Sequence, residues 1–369
     1  MRTKYHIGFL VIALVLVQGC VEKFEPPVTI ANKNFLVVDG SIINGADSTI
    51  IKLSRTRNLG NGVSSLPELN AQLYLEKDGI VHYSFLDLGG GKYFSPIQFM
   101  DNNSKYHLRI VTSGGQQYLS DEIIVKESPP IDSINFAVGS NDVSFLVNTH
   151  DPQKNTRYYK WEYEETWEYH SKFESNLEFI NGALVARAPG NEIYKCYSSA
   201  KSSEILLGSS NNLAEDIIFQ YPLFAIPKSI KVSVRYSLLL KQYALTREAF
   251  AYWQNIKKTT EQLGSIFDAQ PSQFRGNIHS LSDSTEPVLG FVSAASIQEK
   301  RIFVTSTEVE PWYFAGKQCE LKVLGPGFPG NAGLLPVSGL GFPPVFSWAE
   351  IDCVDCRTGG GTLVKPVFW

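Results

Sequence analysis

Between Asn34 and Val125 apolar and polar positions alternate with a period of two, in short runs separated by glycine, aspartate and asparagine. That is the pattern of half-buried strands rather than of helices. Phe35–Val38 stops at Asp39-Gly40, and Thr49–Leu53 follows. Ala71–Leu75 and Ile80–Phe85 flank Lys77-Asp78-Gly79, which predicts a hairpin turning on Asp-Gly. Gly89-Gly90-Gly91 leads into Lys92-Tyr93-Phe94, and Lys105–Val111, Gln117–Leu119 and Ile123–Val125 complete a series of about seven strands. Ser128-Pro129-Pro130 interrupts the series and marks a domain boundary.

Beyond the prolines, Ile131–Phe136 and Val143–Asn148 read as strands, and Tyr158–His170 (YYKWEYEETWEYH) alternates again. Its odd positions include Trp161, Tyr163, Glu165, Trp167 and Tyr169; its even ones are Glu162, Glu164, Thr166, Glu168 and His170. A strand of this kind carries an aromatic face and a carboxylate face. One helix is signalled: Thr246 as cap, Glu248 in the first turn, Ala249, Trp253, Ile256 and Leu263 with Phe250 on one face, and Gly264 as stop. Pro287–Val292 and Lys300–Val304 return to strand. Gly325–Pro344 holds six glycines and five prolines in twenty residues and predicts irregular chain, either disordered or with a binding role.

The expected fold is mainly β, with two tandem β-sandwich domains. Residues 34–127 form the first, whose strand order resembles prealbumin-type or Ig-like sandwiches. Residues 131–309 form the second, which resembles a fibronectin type III module built around Trp161 and carries a helical insertion at 246–264. Residues 310–369 are a Gly/Pro-rich C-terminal segment tethered by disulfides.

The first residues change the picture from fold to address. Arg2 and Lys4 precede the apolar run Ile7–Val17, and Gly19 stands directly before Cys20. The run is short for a membrane span but suits the core of a signal peptide. With a small residue before the cysteine it predicts a lipoprotein signal over 1–19 and acylation of Cys20, the chain's attachment to a lipid bilayer. Residues 20–33, with Pro26-Pro27, would be an extended tether. The formal net charge is −4, and no Lys/Arg-rich patch stands out, which argues against nucleic acid.

Cysteine usage fits that compartment. Apart from Cys20 there are Cys196, Cys319, Cys353 and Cys356, an even number that predicts two structural disulfides; three pairings are open. Cys353-Val354-Asp355-Cys356 is a C-x-x-C, but no second such motif or histidine pair accompanies it, so neither zinc nor a cofactor is expected.

Candidate chemistry is thin. Glu162, Glu164 and Glu168 with His170 are the nearest approach to a constellation, yet acid–base catalysis on glycosides needs two facing carboxyl groups, and these share one strand face. They read first as a solvated face of the sandwich and, with Trp161 and Trp167, as the alternative, a surface for a partner or for a glycan or peptide. Phe328 and Phe342 in the Gly/Pro-rich segment are further docking candidates; Trp312-Tyr313-Phe314, Trp348 and the stretch Lys365–Trp369 read first as core filling and otherwise as interface anchors or stacking platforms for sugars. The sequence contains no GxSxG elbow, P-loop or HExxH.

Several stretches together resemble a known family. They are Cys20-Val21-Glu22 with Pro26, Tyr158–Tyr163, Cys196-Tyr197 and Ala249-x-x-Tyr252-Trp253. Further on come Gly264–Asp268, Gly276-Asn277-Ile278, Val288–Phe291, Asp355-Cys356-Arg357 and Lys365-Pro366-Val367-Phe368-Trp369. The series is similar to the Bacteroidota lipoprotein family called domain of unknown function 4249. The resemblance implies an outer-membrane, lipid-anchored protein at the cell surface, with structural cysteines at Cys196, Cys319, Cys353 and Cys356. It also implies a partner of the TonB-dependent, SusC-like β-barrel kind. The expected function is therefore a non-catalytic accessory or binding subunit. A protein binding glycan or peptide on its own is the alternative, and a hydrolase is the least supported.

Overall fold

The computed structural model describes residues 34–45, 47–57, 65–227, 229–261, 276–309, 318–324, 333–341 and 345–369. The leader, Cys20, the tether, Gly264, Trp312–Phe314, Phe328 and Phe342 lie outside the described residues.

Alternation in the first region produces two five-stranded sheets face to face. One runs Leu36–Asp39, Thr49–Arg55, Lys92–Ser95, Leu86–Asp87, with Leu66–Pro67 beside Thr49–Arg55. The other runs Ile278–Ser280, Gln117–Ser120, Tyr106–Val111, Gln72–Lys77, Ile80–Ser84. Inward positions at every second residue, among them Leu36, Val38, Ile51, Leu53, Leu73, Leu75, Tyr93, Leu108, Ile110 and Tyr118, form one core. The predicted hairpin turns on Asp78 and Gly79, both at positive φ (52° and 81°), as a two-residue turn matching strand twist requires.

The second region is also a sandwich. A sheet of Ile131–Val138, Asp142–His150 and Ile217–Pro227 packs on a sheet ordered Lys195–Lys201, Tyr158–His170, Arg235–Leu245, Ile297–Thr305. Leu206–Ser209 pairs the other half of Tyr158–His170. With that strand the sheet has five, one more than the three-on-four arrangement expected of a fibronectin-like module. Trp161 is fully buried at its centre, with its indole N–H donated to Gln242 Oε1 at 2.8 Å. The helix spans Arg247–Glu261, and Thr246 Oγ1 accepts the N–H of Ala249 at 3.2 Å, as a capping residue does.

The domain boundaries need correction. Residues 131–309 do not form one continuous unit, because the chain crosses back after the helix. Ile278–Ser280 becomes the edge strand beside Gln117–Ser120, and Ala294–Ala295 lies parallel between Ile42–Ile43 and Val125–Lys126. Ile278, Val288, Val292 and Ala294 complete the first core. Pro287–Val292 is not a regular strand; Leu289 makes a single bridge to Val37. At the junction Ser128 Oγ donates to Ser296 O and accepts the N–H of Ala244 at 2.8 Å, tying both crossings together.

The C-terminal segment is likewise more regular than its composition suggests. Leu334–Leu340 is a strand, paired to Val345–Glu350, which also pairs Lys322–Leu324. The apolar run Leu334-Leu335-Pro336-Val337 can add to a sheet because the pairing shifts register between Pro336 and Ser338. Trp348 is fully buried here. Two disulfides staple the segment: Cys196–Cys356 and Cys319–Cys353, with Cα atoms 5.7 and 5.9 Å apart. The two cysteines of the C-x-x-C thus serve different bridges.

Candidate functional site

The long strand Tyr158–His170 is central in its sheet, so its even residues line an outer face between Arg235–Leu245 and Lys195–Lys201. Cross-strand register decides what each carboxylate meets. Glu162 stands opposite Lys241, and its oxygens take Lys160 Nζ at 2.7 Å and the Tyr243 hydroxyl at 3.1 Å. Glu164 lies between Lys201 (3.2 Å) and Lys241 (3.5 Å), and Lys241 continues to Glu299 at 3.0 Å. Glu168 accepts from His170 Nε2 at 2.9 Å and has Lys195 at 3.4 Å. Burial works against the charged form of all three acids, but these cations and donors outweigh it and hold each pKa below the usual carboxylate range.

A second layer covers part of this face. After Cys356 the chain bonds reciprocally to Tyr197 through Thr362, both at 2.8 Å. It then brings Trp369 onto the sheet, where the indole N–H donates to Glu168 Oε2 at 3.1 Å. The Arg235 guanidinium lies 5.2 Å from the Trp369 ring and 4.2 Å from Phe303, and Arg301 lies 3.5 Å over Phe368. The stretch Lys365–Trp369 therefore docks within the molecule at its last two aromatics, while Val364 and Val367 face outward.

The predicted site residues separate accordingly. Glu162, Glu164, Glu168 and His170 share the outer face. Trp161 does not; it is core, so its assignment to a ligand surface is corrected. Trp167 is half-buried on the inner face, under Lys231 Nζ at 4.8 Å. Sequence reasoning missed the role of Glu165, which is 5% exposed inside the sandwich, ion-paired to Lys231 and accepting the Tyr236 hydroxyl at 3.0 Å. Its odd position in an otherwise aromatic face was the available signal.

Three other features could engage ligands. Among the described residues one set could approach a metal ion, Glu350, Asp352 and Cys353, but Cys353 is bonded to Cys319 and offers no thiolate. At the junction of the sandwiches are two adjoining hollows of about 410 and 200 Å³, both touching Ile124, Lys126 and Asn155. Finally, the hairpin Leu177–Ile180/Ala183–Ala186 stands on the C-terminal sheet and turns on Asn181-Gly182, both at positive φ. Its base is pinned by Arg187, which donates to Ser175 O (3.1 Å) and Leu177 O (2.8 Å), and by Ser175 Oγ on Pro336 O (2.6 Å).

The fold and its surfaces define a disulfide-stapled protein of two interlocked β-sandwiches. Residues 21–301 match the family described as domain of unknown function, DUF4249, and the chain belongs to that family. None of the curated proteins matches the chain.

Among solved structures, a putative membrane anchored protein from Corynebacterium diphtheriae shares 12% identity at a TM-score of 0.17. The match covers 58% of this chain and 55% of that one, so the chain spans about half its length. A structure of manganese lipoxygenase from Gaeumannomyces graminis with part of zonadhesin from Komagataella pastoris shares 7% identity at TM-score 0.19, over 75% and 97% of the two chains. The BSP domain of a biofilm associated protein shares 8% at TM-score 0.14, over 74% and 59%.

Proposed function

We propose that this chain is a non-catalytic accessory protein of a Bacteroidota outer membrane, acylated at Cys20 and held at the cell surface. Its partner would be a β-barrel transporter of the TonB-dependent, SusC-like kind. The observation that carries a docking role is the hairpin Leu177–Ala186. Phe179, Ile180 and Val185 are 42, 46 and 37% exposed, and Glu178 is the hairpin's one charged residue. A two-stranded hairpin is marginal by itself, and an exposed apolar one invites association. Here its base is fixed to a sheet held by two disulfides, which presents the tip rigidly. The ion-paired acids of the long strand support the same reading, since none is left as a free base or acid.

The test is purification of the full-length lipoprotein from its native membrane in mild detergent, beside Cys20→Ala and Phe179→Asp/Val185→Asp variants. Near-equal recovery of a barrel with wild type, lost on altering the hairpin, is expected. Recovery of wild type alone sinks the proposal.

The junction hollows favour a second reading, in which the protein binds a glycan or peptide itself. Their combined size suits a small ligand, and their walls mix Ile124, Tyr158 and Leu245 with Lys126, Asn155 and Arg247. Oligosaccharide or peptide mixtures should then raise the melting temperature, and Arg247→Ala with Asn155→Ala should abolish the rise.

A further inference from the structure

The outer face of the first sandwich carries an arrangement that neither docking reading uses. In the sheet built from Leu36–Asp39, Thr49–Arg55, Lys92–Ser95 and Leu86–Asp87, Ile51, Leu53 and Tyr93 point inward, so Ile50, Lys52, Lys92 and Phe94 point out. Register sets them in two rows. Ile50 stands opposite Phe94, and Phe94 opposite Leu86, which makes an apolar row with Ile50 50% and Leu86 63% exposed. In the next row Lys52 stands directly opposite Lys92, with Asp39 on the far side of Lys52. Among the described residues neither lysine forms an ion pair.

Like charges directly opposite on neighbouring strands are destabilising, and an uncovered apolar row beside them adds nothing in water. Both features become favourable against one kind of surface, apolar inside and anionic at its headgroups.

We propose that this sheet face rests on an anionic phospholipid bilayer, with Ile50, Phe94 and Leu86 entering the headgroup boundary and Lys52 and Lys92 meeting phosphates. The inference rests on the proposed anchoring at Cys20 for its setting. The 13 residues 21–33 lead into Leu36–Asp39, a strand of this very sheet. Thirteen residues reach at most about 45 Å and span roughly 20 Å if flexible. The distance from the chain's entry beside Arg55 to Ile50 is about 17 Å along the strand. An anchored bilayer is thus within reach of the whole face, and the contact would fix how the second sandwich is oriented.

The experiment uses the chain from residue 20 with Cys20→Ala, which carries no lipid, so binding reports on the face alone. Acylation of wild type at Cys20 is read separately by intact mass. The protein is floated with vesicles of phosphatidylethanolamine and phosphatidylglycerol, or of phosphatidylcholine. At least tenfold preference for the anionic vesicles is expected. Lys52→Gln/Lys92→Gln should reduce binding about tenfold, and Leu86→Ser should reduce it severalfold, with unchanged melting temperature. The control Lys172→Gln/Lys258→Gln, equal in charge, should bind as wild type. Absence of anionic preference, or equal loss in the control, overturns the proposal. So does a concentration-dependent dimer that Leu86→Ser abolishes, because the face would then be covered by a second copy.

Discussion

The indole N–H of Trp369 donates to the Glu168 carboxylate at 3.1 Å, 201 residues back along the chain. The contact closes the C-terminal stretch over the outer face of the second sandwich, where Tyr197, Phe303 and Arg235 also meet the ring. Removing the ring deletes a charge-assisted hydrogen bond, a cation–π contact and two edge contacts, so Trp369→Ala should cost about 2–3 kcal/mol. Loss of the midpoint in a denaturant titration, with hydrogen exchange rising first in residues 360–369, is the readout. Exchange unchanged in that stretch would show that the ring is not what holds it.

The same pair makes the closure pH-sensitive. Glu168 is held below the usual carboxylate range, despite burial, by His170, Trp369 and Lys195. A folded-state pKa below the unfolded one contributes stability that is present above the unfolded value and is lost as pH falls through the folded one. Exchange protection of 360–369 should therefore persist at pH 5 and above and fall off below about pH 4. Glu168→Gln should flatten this dependence. A pH dependence that survives in Glu168→Gln would show that another group controls the closure.

The disulfides should matter unequally to the whole and to the segment. Cys196–Cys356 closes 160 residues and Cys319–Cys353 closes 34, for which chain entropy gives about 5 and 4 kcal/mol. Paired Cys→Ser variants, melted by calorimetry, should show the larger loss for Cys196/Cys356. The Cys319/Cys353 pair should mainly loosen the three-stranded C-terminal sheet. Equal losses, or loss of the whole fold with either pair, would mean that the segment is not a separate layer.

What could be read in the chain beforehand was what short-range pattern determines. Period-two alternation located the strands around Leu73, Leu108, Phe145 and Trp161, and Asp78-Gly79 and Thr246 marked a turn and a cap. Alternation names two faces of a strand without saying which will be covered. The aromatic set containing Trp161 became core, and the carboxylate set met Lys160 on its own strand and Lys195, Lys201 and Lys241 from strands 27 to 77 residues away in sequence. Nor does a strand announce its sheet: nothing near Ile278 distinguishes joining the first sandwich from joining the second. The exposed hairpin had its Asn181-Gly182 signal in plain view. Alternation alone does not say that Phe179, Ile180 and Val185 stay exposed.

Gly290 tests whether the two sandwiches are locked together by the returning chain. Its φ of +123° belongs to a region that residues with a Cβ rarely adopt, and a Cβ there would fall 2.0 Å from the carbonyl oxygen of Val38. The approach is close because Leu289 exchanges backbone hydrogen bonds with the strand Leu36–Asp39, accepting from Val38 at 2.8 Å and donating to Leu36 at 2.9 Å. Gly290→Ala must move the backbone, and about 3 kcal/mol or more of destabilisation is expected, first at Gly276–Ala295. Gly182 is the matched control: its φ is +83°, yet a Cβ there meets nothing within 4 Å, so Gly182→Ala should cost about 1–2 kcal/mol. If the crossing couples the sandwiches, wild type melts in one transition and Gly290→Ala in two, while Gly182→Ala keeps one. Two transitions in the wild-type protein would show that each sandwich folds by itself and that the crossing is only a covalent link.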